Sequence, residues 1–352
     1  VQAIAQAIPR TDAGYWDESQ HPGGEGGQFG SGGGSSSESE RGGESGGGES
    51  GGGKTPRSKP GSQLPEHQQK RLSELRVDKL PAASVSADKI HVADLDAPDV
   101  HEKALVTWKD DKGRAQSGYT PEFHEKNAAK KWERIEKLEP EIENIRSDLK
   151  QKVSTLPHGS TEHQGAVIAA TISQTGLRPG GGKSTTEDDH FGVSTLQARH
   201  VKDDGDAVSF EFVGKSGKTN VSRVDDPATA SALKKYRDDA RVKGGDEGQL
   251  FAPAALDKAH DATPEGVKLK DFRTVMAAQT ARKALSELKP PPPLPKDDKE
   301  AAKLVLSRVN EASEVVSKKL NNTPAVAKSS YIPPKIYESW GRSVGAKSEW
   351  LK

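Results

Sequence analysis

The stretch of this chain best suited to chemistry lies near its end: Leu320-Asn321-Asn322-Thr323-Pro324-Ala325-Val326-Ala327-Lys328-Ser329-Ser330-Tyr331-Ile332-Pro333-Pro334. A helical run from Lys303 to Leu320 leads into it, and Pro333 and Pro334 forbid simple helix continuation after Tyr331. A tyrosine just before a proline pair, nine positions after a polar amide, is not an obvious core tyrosine. A phenolic oxygen can act as a nucleophile when its surroundings activate it. The ordinary alternative is a surface tyrosine in a C-terminal loop. Other nucleophile and ligand classes are excluded by composition. There is no cysteine, which removes disulfides, thiolate metal sites and thiol nucleophiles.

Four upstream motifs accompany the tyrosine. Thr175-Gly176-Leu177-Arg178 follows a helix expected from Thr161 to Thr175, with Gly176 as its C-cap. Gly192 to Val201 reads as a strand, and Phe212-Val213-Gly214-Lys215 ends another. Lys270-Asp271-Phe272-Arg273 lies at the start of a helix expected from Leu269 to Leu288. Together with the tyrosine segment, these resemble the motifs of type IB DNA topoisomerases of the small poxvirus and bacterial kind. They occur in the family's order, and the resemblance covers residues 80 to 340. It implies that Tyr331 is the nucleophile, Arg178 and Arg273 the catalytic arginines, Lys215 the general acid and Asn322 a phosphate-oxygen donor where many members use histidine. The residue types suit that chemistry. The pentacoordinate transition state of a phosphodiester concentrates negative charge on its non-bridging oxygens, which guanidinium groups hold with charge-assisted bonds. A lysine can supply the proton that the leaving 5′ oxygen needs. His200 and His190 read as structural or solvent-exposed. Each motif residue also has an ordinary use: Arg178 capping its helix, Lys215 solvated in a glycine turn, Arg273 in a surface ion pair with Asp271.

The segment Asp111 to Tyr119 resembles the major-groove hairpin of the same family's N-terminal domain, so Gln116 and Tyr119 match base-contacting positions. Ser117 stands where the family often has a tyrosine, which implies weak base reading and binding driven by phosphates. An exposed hairpin without a ligand is the plain alternative. The resemblance implies double-stranded DNA as the partner, a monomer clamped around the duplex, a 3′-phosphotyrosyl intermediate and no need for ATP, metal or any other cofactor. Two rivals share parts of this pattern. A tyrosine recombinase or integrase has the same catalytic architecture but typically carries "H..R" where this chain has Lys270-Asp271-Phe272-Arg273. A catalytically inactive DNA-binding virion protein would not need all five groups.

The elements that must position these residues form an α+β chain in three parts. Residues 1–61 read as a disordered tail, because sixteen glycines among Gly23 to Gly53, interleaved with serine and glutamate, cannot bury enough apolar surface. Trp16 to Phe29 within it resembles a short tail of bacteriophage structural proteins. Residues 62–120 read as a small β-rich domain, with strand-like runs at Asp88–Val92 and Ala104–Trp108, and the resemblance implies that it clamps DNA. Residues 121–352 read as a mainly α-helical catalytic domain with a three-stranded sheet. Its helices are expected at Pro121 to Leu156, kinked at Glu139-Pro140, then Thr161–Thr175, Pro227–Val242, Leu269–Leu288 and Asp297–Leu320. Its strands are expected at Gly192–Val201, Ala207–Val213 and Thr219–Val224, and Pro290 to Pro295 is an extended linker.

The 352 residues carry 52 basic and 52 acidic side chains, so any DNA-facing charge must come from clustering on one surface. No apolar run approaches the roughly 18 residues of a membrane span. A DNA-associated place in the cytoplasm of a bacterial or phage-infected cell, or in a virion, is expected. The chain starts at Val1 and its only methionine is Met276, which reads as a processed product or a piece of a longer frame.

Overall fold

A computed structural model describes residues 59–111, 113–181, 190–287 and 294–351. The glycine-rich tail through residue 58 and the proline run 290–293 lie outside these, as does Lys112 in the hairpin turn. The chain divides into two compact units, one ending at Ala128 and one starting at Ala129. Among the described residues, no helix is long and apolar enough to cross a membrane.

The first unit joins a helix α1 (Glu66–Glu74) to an antiparallel sheet of β1 (His91–Val92), β2 (Val106–Lys109) and β3 (Ala115–Gly118) in the order β1-β2-β3. Leu64, Leu72, Leu95, Val100 and Leu105 form one apolar cluster, and Val85, Val106 and Trp108 another. The strand expected over Asp88–Val92 is cut to its last two residues. The Ser86 hydroxyl bonds the Asp88 carboxylate and Lys89 N–H donates to Ser86 O at 3.0 Å, so Ala87–Lys89 closes as a 3-10 turn.

The second unit is mainly helical. Helix α2 (Pro121–Leu138) carries the chain into it. A 3-10 turn at Glu139–Glu141 separates α2 from α3 (Ile142–Thr155), the kink that Pro140 demands. Helix α4 (Thr161–Thr175) is its hub. Eleven of its 15 residues are buried, and Ser160 caps it by accepting from His163 N–H. Gly165 lets it lie against α6 (Ala255–Asp261), a short helix absent from the sequence reading; a Cβ at Gly165 would come 2.5 Å from Lys258 C. Strands β4 (Val201–Asp204), β5 (Ala207–Gly214) and β6 (Lys218–Val224) form an antiparallel sheet beside α5 (Pro227–Gly244). Two further helices, α7 (Leu269–Glu287) and α8 (Asp298–Leu320), complete the scaffold, with Asp297 capping α8 through Glu300 N–H.

The strand expected over Gly192–Val201 is two 3-10 turns, Val193–Thr195 and Ala198–His200, with β4 beginning only at Val201. Side chains take the backbone donors that a sheet would have used. Gly192 N–H donates to Thr195 Oγ1 at 3.0 Å and Gln197 N–H to His200 Nδ1 at 3.0 Å.

Candidate active site

Tyr331 ends an irregular turn. A short helix α9 (Pro324–Val326), capped by Thr323, runs into a π-type turn over Ala327–Tyr331. The chain extends at Ile332 before α10 (Pro334–Ser343) starts at the second proline of the pair. Neither a surface loop nor an exposed ring results. Tyr331 is 6 % exposed and packs in a cluster with Met276, Leu320, Ile332 and Ile336. Cations lie near the ring from two elements, Arg273 Cζ 5.0 Å and Lys131 Nζ 5.6 Å from its centroid. Lys131, on α2, also donates to the carbonyl of Ser330, the residue before the tyrosine. The other tyrosine of this cluster, Tyr337, is occupied differently. Its hydroxyl pairs with Ser313 Oγ at 2.8 Å, and burial pushes its pKa up to about 12.

Arg273 is the junction of the motifs. It is 4 % exposed on α7, buried and not at the surface where the sequence alternative put it. Asp271 pairs instead with Arg134, which donates from Nε at 2.7 Å and from a second nitrogen at 3.0 Å. Burial works against the Arg134 charge, but the carboxylate outweighs it and raises that pKa. Asp271 also accepts Lys268 N–H, which caps α7 and fixes the turn that carries Arg273. The Arg273 guanidinium donates to Gly176 O at 2.6 Å and to Leu320 O. Those carbonyls lie two residues before Arg178 and two before Asn322. One side chain thus ties the ends of α4 and α8 together beside the Tyr331 ring.

Arg178 leaves α4 through Gly176, whose left-handed φ of 65° ends the helix. Its backbone is pinned by the turn once expected to be a strand: Val193 N–H donates to Arg178 O and Ser194 N–H to Pro179 O. The side chain is half-buried. Lys215 is also half-buried, in the turn between β5 and β6. That hairpin is joined to the tyrosine segment by Asn321, whose Nδ2 donates to Thr219 O at 2.6 Å and to Asn220 Oδ1 at 3.2 Å. Asn322 is the least satisfied polar group of the set. Both ends of its amide are buried and neither has a hydrogen-bond partner among the described residues. A buried amide without partners costs stability.

Gln116 and Tyr119 belong to the other compact unit. Gln116 is 3 % exposed and not on an open hairpin; its Oε1 accepts from Lys79 and its Nε2 donates to Asp110 Oδ2. Its amide orders both neighbours. Tyr119 stacks on Phe123 with centroids 4.3 Å apart, and burial raises its pKa. His200 is structural, packed against Phe191 and Phe212, and burial holds its pKa down to about 4. His190 is half-buried. Lys131 and Asn321 escaped the sequence reading. Only the Asn-Asn pair at a helix end, a left-handed cap signal, could have pointed to the second.

Residues 120–347 match the family described as eukaryotic DNA topoisomerase I, catalytic core. No curated protein sequence matches the chain significantly. That match takes in both helix ends joined by Arg273, the Lys215 hairpin and the tyrosine turn, and it spans well over half of the sequence: the chain belongs to the topoisomerase I catalytic-core family and is a type IB DNA topoisomerase.

Proposed function

We propose that this topoisomerase relaxes supercoiled DNA by cutting one strand through Tyr331 and resealing it, as a monomer closed around the duplex, without ATP or metal. The Tyr331 oxygen attacks the phosphorus, its proton passing to water. The bond from phosphorus to the 5′ oxygen breaks, Lys215 gives that oxygen a proton, and the protein is left joined to the 3′ phosphate. Rotation of the free 5′ end releases torsion, and the reverse attack by the 5′ hydroxyl restores the strand. Arg178 and Arg273 hold the non-bridging oxygens, and Asn322 adds a neutral donor to the same phosphate. Preorganised donors of this kind typically supply on the order of 3 kcal/mol each. Gln116 and Tyr119 are assigned as DNA-binding residues of the hairpin, where Gln116 also orders Lys79 and Asp110. Residues 1–61 are assigned as a tail, 62–120 as the clamping domain and 121–352 as the catalytic domain.

The observation that supports this reading best is the Arg273 junction, which gathers the ends of α4 and α8 at the Tyr331 ring. The test is relaxation of supercoiled plasmid in EDTA without nucleotide, together with trapping on a suicide DNA substrate run on a denaturing gel. The full chain should relax both signs of supercoil and form a covalent adduct. Tyr331→Phe should fold, bind DNA and form no adduct. An adduct on Tyr331→Phe would move the nucleophile elsewhere, and relaxation that requires ATP would end the proposal.

A further inference from the structure

We propose that Asn321 is a positioning residue: a latch that holds the Lys215 hairpin against the segment carrying Asn322 and Tyr331. The inference rests on the reading of Lys215 as the proton donor. Asn321 sits just past α8 in a left-handed conformation, φ 50° and ψ 54°. Its backbone completes the helix end, with Asn321 N–H donating to Lys318 O and Asn322 N–H to Ser317 O at 3.0 Å. Glycine takes this conformation at the least cost, so an asparagine here carries a backbone penalty that its side chain must offset. That side chain reaches about a hundred residues back in sequence, to Thr219 O and Asn220 Oδ1 on β6. Asn220 relays the contact toward the turn, since its Nδ2 donates to Lys218 O at 3.2 Å. The space it needs exists because residue 214 is glycine. A Cβ there would lie 2.2 Å from Asn220 Nδ2. Gly214 pairs with Lys218 across the hairpin, and Lys215 follows it directly. The chain of contacts therefore ends beside Lys215 and begins one residue before Asn322. It couples the proton donor on one element to the phosphate donor on another, so that the two approach a phosphodiester as a set.

The test compares single-turnover cleavage of two suicide DNA substrates, one with the ordinary 5′ oxygen and one with sulfur in its place, by the full chain and by Asn321→Gly. Glycine keeps the left-handed cap at less backbone cost, which offsets the two lost hydrogen bonds, so the thermal midpoint should change little. Cleavage of the oxygen substrate should slow about tenfold, as two lost hydrogen bonds of ordinary net strength would cost. The sulfur substrate should be cleaved at nearly the unmodified rate, because a thiolate leaves without a proton. In a Lys215→Ala background, Asn321→Gly should add nothing. Equal slowing on both substrates, or no slowing on either, overturns the latch. Lys215→Ala that sulfur fails to rescue overturns the proton-donor assignment instead. The latch is then decided by amide exchange in the hairpin at residues 217–219, which Asn321→Gly should speed and Lys215→Ala should not. Unchanged exchange in Asn321→Gly overturns it as well.

Discussion

Asn322 and Arg273 make opposite use of burial. Arg273 is almost wholly enclosed, and two of its guanidinium N–H groups donate to backbone carbonyls on two helices. Lysine could not replace it, since a single ammonium lacks the planar fork that spans both carbonyls. Asn322 is enclosed with its amide unspent among the described residues. Folding dehydrates that amide and returns no hydrogen bond from the described residues; in the proposed complex the phosphate would supply one. A trade between stability and activity follows. Asn322→Leu should raise the unfolding free energy in urea by about 1 kcal/mol, the size of one relieved buried polar group. The same change should slow single-turnover cleavage on the order of a hundredfold, because a donor to the phosphoryl oxygens is lost. A variant that is both less stable and fully active would show that the amide serves packing and not the phosphate.

At the scale of elements, the turns between Arg178 and β4 do the aligning, and one of them carries a titration. The His200 ring is 6 % exposed and neutral, with Nδ1 accepting from Gln197 N–H. Its folded pKa, lowered to about 4, lies below the ordinary value of 6.5. Between those values the unfolded chain binds the extra proton, so this group's stability contribution is full above pH 6.5 and is lost as pH falls toward 4. The loss amounts to about 3 kcal/mol. His200→Asn keeps an acceptor for Gln197 N–H and removes the titration. Its unfolding free energy should therefore fall less steeply than that of the unmodified chain between pH 6.5 and 4. Parallel curves would place the pH sensitivity in other groups. This turn also marks where sequence stopped being legible. The long helices could be read because their ends are written in single residues: Ser160, Gly176, Asp226, Asp297 and the proline breaks. Gly192–His200 has the alternation of a strand, but Thr195 and His200 capture backbone donors locally. Helix α6 is seven residues long, too short for its period to show. Of the site, the motifs identified Arg178, Lys215, Arg273, Asn322 and Tyr331 as candidates. Lys131 touches the tyrosine turn from 199 residues away, a contact that no spacing records.

For the whole molecule, a net charge of zero conceals an uneven distribution. Residues 1–58 hold four basic and eight acidic side chains, a net of −4 that leaves +4 for the remainder. The described residues begin just after them, and there Gly61 N–H donates to Pro81 O at 2.8 Å. Affinity for duplex DNA should depend on the phosphates that the folded part neutralises. Each contributes a slope of about −0.9 in log affinity against log salt. The acidic tail acts through a long-range field that salt screens within roughly 10 Å at 0.1 M. Deleting residues 1–58 should therefore raise affinity at low salt and leave the slope unchanged in the screened range. Plasmid relaxation should remain within about tenfold of the full chain, a difference of roughly 1.4 kcal/mol in barrier. The check is a salt titration of duplex binding by both proteins, on several unrelated sequences of equal length. Near-equal affinities across the sequences would support phosphate-driven binding, in line with a buried Gln116 and with Ser117 at the hairpin position where the family often has tyrosine. A slope that becomes shallower after truncation would mean that Arg10, Arg41, Lys54 or Arg57 contacts phosphate, and that the tail belongs to the DNA-binding surface.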